Sequence, residues 1–151
     1  MSNPVTVELK NFDRMKEVAD RYPQVAEKYV GFAMTRALTR VMGAVKIEAP
    51  QGISTFLKNR WTIRSGRFEA ALVSGTEYAK AVHNGTKPHF VSPEKLMKWS
   101  MKKGLNAYAV SKSIAKKGTM PNPFLQRAVD QNKDKMDQDL ENAIKDIISN
   151  V

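Results

Sequence analysis

Cysteine is absent from this chain of 151 residues. Its absence excludes disulfide bonds, thiolate metal sites and cysteine nucleophiles. It leaves the redox compartment open, and we favour an intracellular one. Long apolar runs are also missing, since no stretch approaches the roughly 18 apolar residues that cross a bilayer. The first eight residues lack the cationic start and apolar core of an export signal. We therefore expect a soluble protein that is not exported and has no membrane partner.

The residues used in catalysis and metal binding are scarce. The two histidines, His83 and His89, lie six residues apart, and no carboxylate has the spacing of a further metal ligand. The glycines form no phosphate-binding loop, and no serine stands in the Gly-x-Ser-x-Gly pattern of a hydrolase nucleophile. We predict that the protein is not an enzyme and binds no metal or cofactor. An acid–base pair of Glu77 with His83 or with Glu69 stays open, and a hydrolase would need one of them.

Acidic residues are few in the middle of the chain. Residues 51–120 carry 13 basic and 3 acidic side chains, whereas residues 1–50 carry 8 and 6, and residues 121–151 carry 4 and 6. The net charge of +10 therefore belongs to the middle segment. Such a positive field indicates a polyanionic partner, with a solvated lysine-rich surface as the alternative.

Apolar spacing predicts two helices in the first 50 residues. The first runs over 12–22 with Asn11 as its cap, and the second follows Pro23 and runs to about Glu48, before Pro50. The second helix has small residues at Gly31, Ala33, Ala37, Gly43 and Ala44. These residues would admit a close helix of the same chain or of a second copy, and we favour ordinary packing in the core.

The sequence period changes to two after Phe56. Apolar and charged residues alternate from there to Leu72, around a turn at residues 65–66. This pattern predicts an antiparallel β-hairpin with one buried face. Trp61 and Phe68 could stack on bases beside the neighbouring arginines, and we expect them instead in the core.

More structure is expected on either side of this hairpin, because two strands alone are marginally stable. A third strand would come from the alternation of Val5, Val7 and Leu9, or from a neighbouring subunit. Residues 77–83 have the length of a helical turn or of an edge strand. Gly85 then predicts a turn with a positive φ.

A basic insert at about 88–117 is predicted to form two short helices. The first follows Ser92 and ends at Gly104, and the second runs over 106–116 and ends at Gly118. The pair is similar in outline to a helix-turn-helix. Its second helix lacks the arginine, asparagine and glutamine side chains that pair with base edges, so its lysines would hold phosphates without reading sequence.

Pro123 is expected to start the final helix. Its apolar stripe comprises Leu125, Val129, Met136, Leu140, Ala143, Ile144, Ile147 and Ile148. The acidic residues that we expect to face water, or alternatively the next subunit, are Asp130, Asp134, Asp137, Asp139 and Glu141. We predict an α+β fold in which long N-terminal and C-terminal amphipathic helices pack on a small antiparallel β-sheet. The prediction is a single domain, residues 1–151, with the helical insert.

Two motif segments flank the insert. Their turn residues are Tyr78, Ala79, Gly85, Thr86, Pro123, Phe124 and Leu125. With the long helix and the hairpin before them, these segments resemble the small tail-completion, or head–tail joining, proteins of tailed bacteriophages and prophages, over about residues 24–150. The chain departs from the usual pattern of that family at residues 51–55 and 83–84 and in the length of its insert.

The resemblance implies a virion structural protein, made late in infection, without catalysis or a cofactor. Such a protein forms a ring of six or twelve copies at the neck or the top of the tail and is assembled in the host cytoplasm. Its partners would be further copies, other neck proteins, tail-terminator and tail-tube proteins, and double-stranded DNA held transiently. Lys102, Lys103, Lys116 and Lys117 are the candidates for lining the DNA channel. The alternative is a non-specific nucleic-acid-binding protein that uses the basic middle segment.

Overall fold

The computed structural model describes residues 9–52 and 54–151. In these residues the chain forms seven helices and a two-stranded antiparallel sheet, which confirms the predicted α+β fold. The elements are α1 (Phe12–Arg21), α2 (Pro23–Glu48), α3 (Phe56–Asn59), β1 (Trp61–Ser65), β2 (Ala70–Ser74), α4 (Ala79–Asn84), α5 (Pro93–Lys103), α6 (Ala107–Lys117) and α7 (Phe124–Ser149). None of the helices in the described part is long and apolar enough to cross a membrane.

The two longest helices, α2 and α7, pack along each other and form the frame of the fold. The buried residues of α2 recur every three or four positions: Ala26, Val30, Ala33, Ala37, Val41 and Val45. Such spacing places them on one stripe of the helix, and the small alanines let α7 come close. Ala33 and Ala37 therefore serve core packing, as the sequence predicts. Gly31 and Gly43 lie off this contact, since a Cβ at either position would have no atom within 4 Å.

The hairpin packs on this frame, but its first strand starts later than the sequence predicts. Residues Phe56–Asn59 form the short helix α3, and β1 begins at Trp61. The prediction of a strand from Phe56 is therefore wrong. Leu57 and Trp61 are four residues apart, and both are buried because a helical turn brings them to the same side. The Trp61 indole Nε1 donates a hydrogen bond of 2.6 Å to the Leu57 carbonyl oxygen, which fixes this turn.

The aromatic residues of the hairpin differ in burial. Trp61 belongs to the core, as predicted, whereas Phe68 lies in the loop between the strands with 37% of its surface exposed. The prediction of a core position is wrong for Phe68, because the strands pair only from Trp61↔Ser74 to Ser65↔Ala70 and leave it in the turn. Val5 and Val7 of the predicted third strand lie outside the described residues.

Prolines and polar caps set the helix starts. Pro23 and Pro93 occupy the first turns of α2 and α5, where a missing N–H costs nothing. The Asn106 Oδ1 accepts two backbone N–H bonds at the start of α6, at 2.9 and 3.2 Å. Asn11 and Ser92 stand at the predicted cap positions, but their side chains make no capping hydrogen bond.

The acidic row of α7 does not all face water. Asp137 and Asp139 are buried, so the prediction of an exposed row is wrong for these two. The physical reason is that α7 is covered by α2 on one side and by α1 on another. Asp139 forms ion pairs with Arg40 and, at 3.8 Å, with Arg36, both on α2. The buried carboxylate therefore helps to align the two long helices.

Candidate functional site

The two motif segments, which lie more than thirty residues apart in sequence, meet at one joint. Thr86 and Thr119 form an antiparallel bridge in which each backbone N–H donates to the other's carbonyl oxygen at 3.1 Å. Their hydroxyl oxygens lie 2.8 Å apart. The Asn122 N–H also donates to the Val82 carbonyl oxygen at 3.0 Å. We call this pairing the Thr86–Thr119 joint, and it holds both ends of the basic insert.

Two glycines make this joint possible. Gly85, with a φ of +70°, lies shortly before the insert, and Gly118, with a φ of +74°, follows it directly. A Cβ at Gly118 would overlap the Thr86 carbonyl oxygen, and one at Gly85 would lie 2.8 Å from the Pro121 nitrogen. The backbones approach so closely here that any side chain would force them apart. The positive φ predicted at Gly85 is confirmed, and Gly118 shares it.

The remaining motif residues are largely structural. Phe124 is 1% exposed, and its ring meets Trp61 edge-on with centroids 6.2 Å apart. Ala79 is buried beside it in the same cluster, and Leu125 packs against that cluster. Tyr78 is 44% exposed. The motif therefore anchors the joint in the core and leaves one aromatic side chain at the surface.

Polar contacts tie the second motif segment to the frame. Arg127 donates from Nε to the Glu48 carboxylate at 2.8 Å and from a terminal nitrogen to the Asn122 side chain at 2.7 Å. Gln131 donates to the other Glu48 oxygen at 2.8 Å. Hydrogen bonds from Arg127 and then from Gln131 lower the pKa of Glu48 below its ordinary value. This network joins the end of α2 to the start of α7.

The two histidines differ in burial and in their contacts. The ring of His83 packs edge-on against Phe124, and its Nδ1 is buried without a hydrogen-bond partner in the described part of the chain. Burial, and secondarily the positive charge of Arg127, lower the pKa of His83. His89 is exposed, with its Nδ1 2.8 Å from the Lys87 carbonyl oxygen. Among the described residues no three His, Cys, Asp or Glu side chains are placed to hold a metal ion.

Residues 87–118, which we call the arm, form a helical hairpin that starts and ends at the joint. Helices α5 and α6 pack on each other, and the fully buried residue of each is a serine, Ser100 or Ser111. The Ser111 hydroxyl donates to the Val91 carbonyl oxygen at 2.6 Å. Outside the joint, the Lys102 Nζ reaches the body of the protein and donates to the Gly52 carbonyl oxygen at 3.1 Å.

The arm concentrates the positive charge of the chain. It contains eight lysines and one acidic residue, Glu94, for a net charge of +7. All eight lysines are exposed: Lys87, Lys95, Lys98, Lys102, Lys103, Lys112, Lys116 and Lys117. The ion pairs found in residues 9–52 and 54–151 all lie outside the arm. The charge of the arm is therefore uncompensated by the rest of the described chain.

The four lysines predicted to line a channel do not form one cluster. Lys102 and Lys103 end α5 at the tip of the arm, whereas Lys116 and Lys117 end α6 beside the joint. The two pairs are separated by roughly the length of α6, about 16 Å at 1.5 Å per residue. The arm therefore presents two basic ends rather than one patch.

The arm also exposes apolar side chains, which the sequence analysis missed. They are Phe90, Met97, Met101, Leu105 and Tyr108, with Met120 just beyond the arm. Met97 and Met101 are four residues apart, so they lie on one side of α5. This four-residue spacing is the sequence signal for an exposed apolar side of α5, and the lysines around it made that side hard to recognise.

A separate apolar groove lies between α2, β2, α4 and α7. Its volume is about 700 Å³, and its lining includes Leu9, Val41, Phe124, Leu140 and all five residues of β2. His83 and the paired hydroxyls of Ser74 and Thr76, 2.8 Å apart, are among its polar groups. The groove is thus a largely apolar surface that is not part of the arm.

Comparison of the chain with protein-family models, with curated proteins and with solved structures found no match.

Proposed function

We propose that this chain is a structural protein of a tailed phage or prophage particle, which completes the tail or joins it to the head as a ring of copies. The observation that supports this proposal is the Thr86–Thr119 joint. The motif segments that carry the resemblance meet there in space and present the arm from a fixed base. An arm held at both ends is suited to a defined position in an assembly.

The charge of the arm supports contact with DNA in the channel of such a ring. Six arms of +7 each would carry +42, whereas about 30 Å of duplex brings roughly 18 phosphate charges at one per 1.7 Å. Only part of the charge of each arm is then needed to neutralise the phosphates of the DNA. We assign that role to the tip pair, Lys102 and Lys103, because the tip lies furthest from the joint, and the base pair, Lys116 and Lys117, to neighbouring proteins.

Charge-reversed pairs test this assignment with matched chemistry. The tip variant carries Lys102→Glu and Lys103→Glu, and the base variant carries Lys116→Glu and Lys117→Glu. Each replaces the gene in a host that produces the particle, and joined, DNA-filled particles are counted in micrographs. We expect the tip variant to join heads to tails but to lose DNA, and the base variant to reduce joining. Unchanged joining and DNA retention after reversal of all four lysines would contradict a role in the channel.

The ring itself is tested on the purified protein and on particles. Native mass spectrometry and negative-stain images should show six or twelve copies around a hole, alone or on a tail. An antibody to the chain should label the neck or upper tail of the particle. A protein that stays monomeric at all concentrations and is never found in a particle would refute the proposal.

A non-specific nucleic-acid-binding protein is the second candidate, favoured by one observation. The arm combines lysines that form no ion pair in the described part of the chain with two highly exposed aromatic rings, Phe90 and Tyr108. Positive charge beside exposed aromatic rings is the chemistry of single-strand binding. The discriminating measurement is DNA binding by the purified monomer over a range of salt concentrations. Useful affinity with a steep decrease of log K against log salt supports this second candidate, whereas binding that needs the assembled ring supports the first.

A further inference from the structure

The fully buried residues of the arm are polar, and several of its large apolar side chains are exposed. Ser100 on α5 and Ser111 on α6 are buried. Met101, which follows Ser100 directly, is 75% exposed, and Tyr108 is 72% exposed. Helices ordinarily bury their apolar side chains against a neighbouring element. The exposed apolar side chains of the arm are therefore free to pack against a further element.

The exposed apolar side chains of α5 and α6 share one face of the arm. Met97 precedes Ser100 by three residues, and Tyr108 stands in the same relation to the other buried serine, Ser111. The hydrogen bond from Ser111 to the Val91 carbonyl oxygen puts the middle of α6 beside the start of α5, while the turn at residues 104–106 joins their other ends. The two helices therefore run in opposite directions. In such a pair of right-handed helices, residues with equal offsets from the covered side lie on the same face.

We call this face, which consists of Met97, Met101, Leu105 and Tyr108, the arm face. Met101 lies on the same side of α5 as Met97, and Leu105 lies in the turn that joins the helices. The furrow between two packed helices accepts the side chains of a third helix at an interaxial distance of about 8 to 10 Å. Methionine suits such a contact, because its unbranched side chain adapts to the surface packed against it. The arm face thus fits a helix that contacts α5 and α6 together.

The charge around the arm face indicates the chemistry of that helix. Lys98 follows Met97 directly, and Lys112 lies four residues after Tyr108, on the same side of α6. The arm face is therefore bordered by a lysine on each helix. No acidic residue occurs from residue 95 to residue 129, and none of the ion pairs in the described residues involves the arm. A helix with carboxylates beside an apolar stripe would match both the apolar side chains and the charge.

We propose that the arm face binds an acidic amphipathic helix of a partner protein, which packs on α5 and α6 as a third helix. The arm of a second copy does not match this chemistry, since it would bring a charge of +7 against +7. A polyanion without an apolar stripe would pair with the lysines but leave Met101 uncovered. The site does not depend on the proposed function, because every copy of the chain carries it.

Two synthetic peptides test the proposed chemistry on the purified, full-length chain. Both contain about 18 residues of leucine, glutamate and alanine, which is five helical turns. In the striped peptide the leucines recur every three or four residues between the glutamates, and in the scrambled peptide the same residues form no stripe. We expect the striped peptide to bind at least about tenfold more tightly, measured by fluorescence anisotropy. Equal affinities, or no binding of the striped peptide, would overturn the proposal.

Matched substitutions test whether the arm face is the binding site. Met101→Gln removes an apolar side chain from the arm face, whereas Met120→Gln makes the same change at a methionine that is 90% exposed and lies outside the arm. Tyr108→Ser repeats the test on α6. We expect Met101→Gln and Tyr108→Ser each to weaken binding of the striped peptide by about tenfold, and Met120→Gln to change it by less than about twofold. Equal effects of the two methionine substitutions would refute a site on the arm face.

Lipid and nucleic acid are tested on the same variants, because lysines beside apolar side chains suit these ligands as well. The probes are vesicles that contain phosphatidylserine and a single-stranded oligonucleotide. We expect Met101→Gln to weaken the striped peptide more than either probe. If Met101→Gln weakened the binding of vesicles or oligonucleotide and left that of the striped peptide unchanged, the arm face would be a lipid or nucleic-acid surface, and the proposal would be overturned.

Discussion

The substitution Gly118→Ala would test whether the Thr86–Thr119 joint holds the arm. Gly118 has φ +74° and ψ −159°, a region that only glycine populates freely. A Cβ added at this position would overlap the carbonyl oxygen of Thr86 and lie 2.8 Å from the carbonyl carbon of Lys87. Both neighbours are backbone atoms that cannot rotate away. Alanine at this position therefore has to open the bridge.

The decrease in the free energy of unfolding can be estimated from the backbone strain that alanine introduces and from the hydrogen bonds that are lost. A strained backbone conformation of this kind costs about 1 to 3 kcal/mol for a residue with a side chain. The two backbone hydrogen bonds of the bridge contribute a further 0.5 to 1.5 kcal/mol each, on the order of typical net values. We expect Gly118→Ala to lower the free energy of unfolding by about 2 to 6 kcal/mol.

Gly104→Ala provides the matched control. Gly104 also has a positive φ, +67°, but a Cβ there would meet no atom within 4 Å. Its substitution should cost only about 1 to 2 kcal/mol for the left-handed conformation. Urea unfolding gives both free energies, and amide hydrogen exchange at Thr86 and Thr119 reports the bridge directly. Equal costs for the two variants, with unchanged protection of both amides, would refute the role of the joint.

Four further substitutions probe the frame and the core. Arg40→Met leaves the buried carboxylate of Asp139 poorly compensated and should lower the free energy of unfolding by about 3 to 5 kcal/mol. Arg36→Met removes a longer and more exposed pair, so it should lower that free energy by less than about 1 kcal/mol. Similar decreases for the two variants would contradict the view that Arg40 is the main partner of Asp139. Phe124→Ala should cost about 3 to 5 kcal/mol by urea unfolding, and a cost near zero would mean that its cavity refills. Burial lowers the pKa of His83, so the unfolded chain binds more protons and stability falls as pH decreases below about 6.5. His83→Gln should reduce that loss between pH 8 and pH 5.5, and an unchanged pH profile would exclude His83 as its source.

The parts of the fold that follow from local chemistry were predictable from the sequence. Pro23 and Pro93 start helices because their fixed φ suits a first turn. Gly85 allows a turn with a positive φ, which glycine adopts without steric cost. The α+β class follows from the change of period between the helices and the hairpin. Each of these signals acts within a few residues, so no tertiary information is needed to interpret it.

The features that could not be predicted from the sequence depend on which distant residues pack against a given side chain. The spacing of Leu57 and Trp61 fits both a strand alternation and a helical turn. The helical turn is observed, and it buries both side chains in the core. Asp139 belongs to an acidic row, yet it is buried beneath α2, where two arginines of that helix pair with its carboxylate. The approach of Thr86 to Thr119 is a contact between segments over thirty residues apart. Such long-range pairings leave no periodic signal.

The lysines of the arm lead to a last prediction, which concerns the effect of salt concentration. The arm's lysines have no ion pair in the described part of the chain, so their mutual repulsion opposes folding of the arm while the joint opposes its release. Raising the salt concentration from about 0.01 to 0.1 M shortens the Debye length from about 30 to 10 Å and weakens that repulsion. The same screening weakens attraction to a polyanion. Amide protection in α5 and α6 should therefore increase with salt, while the affinity of the assembled protein for DNA decreases. Amide protection that decreased with salt would mean that ion pairs of the lysines stabilise the arm. A DNA affinity that did not decrease with salt would contradict the role of the lysines in holding DNA.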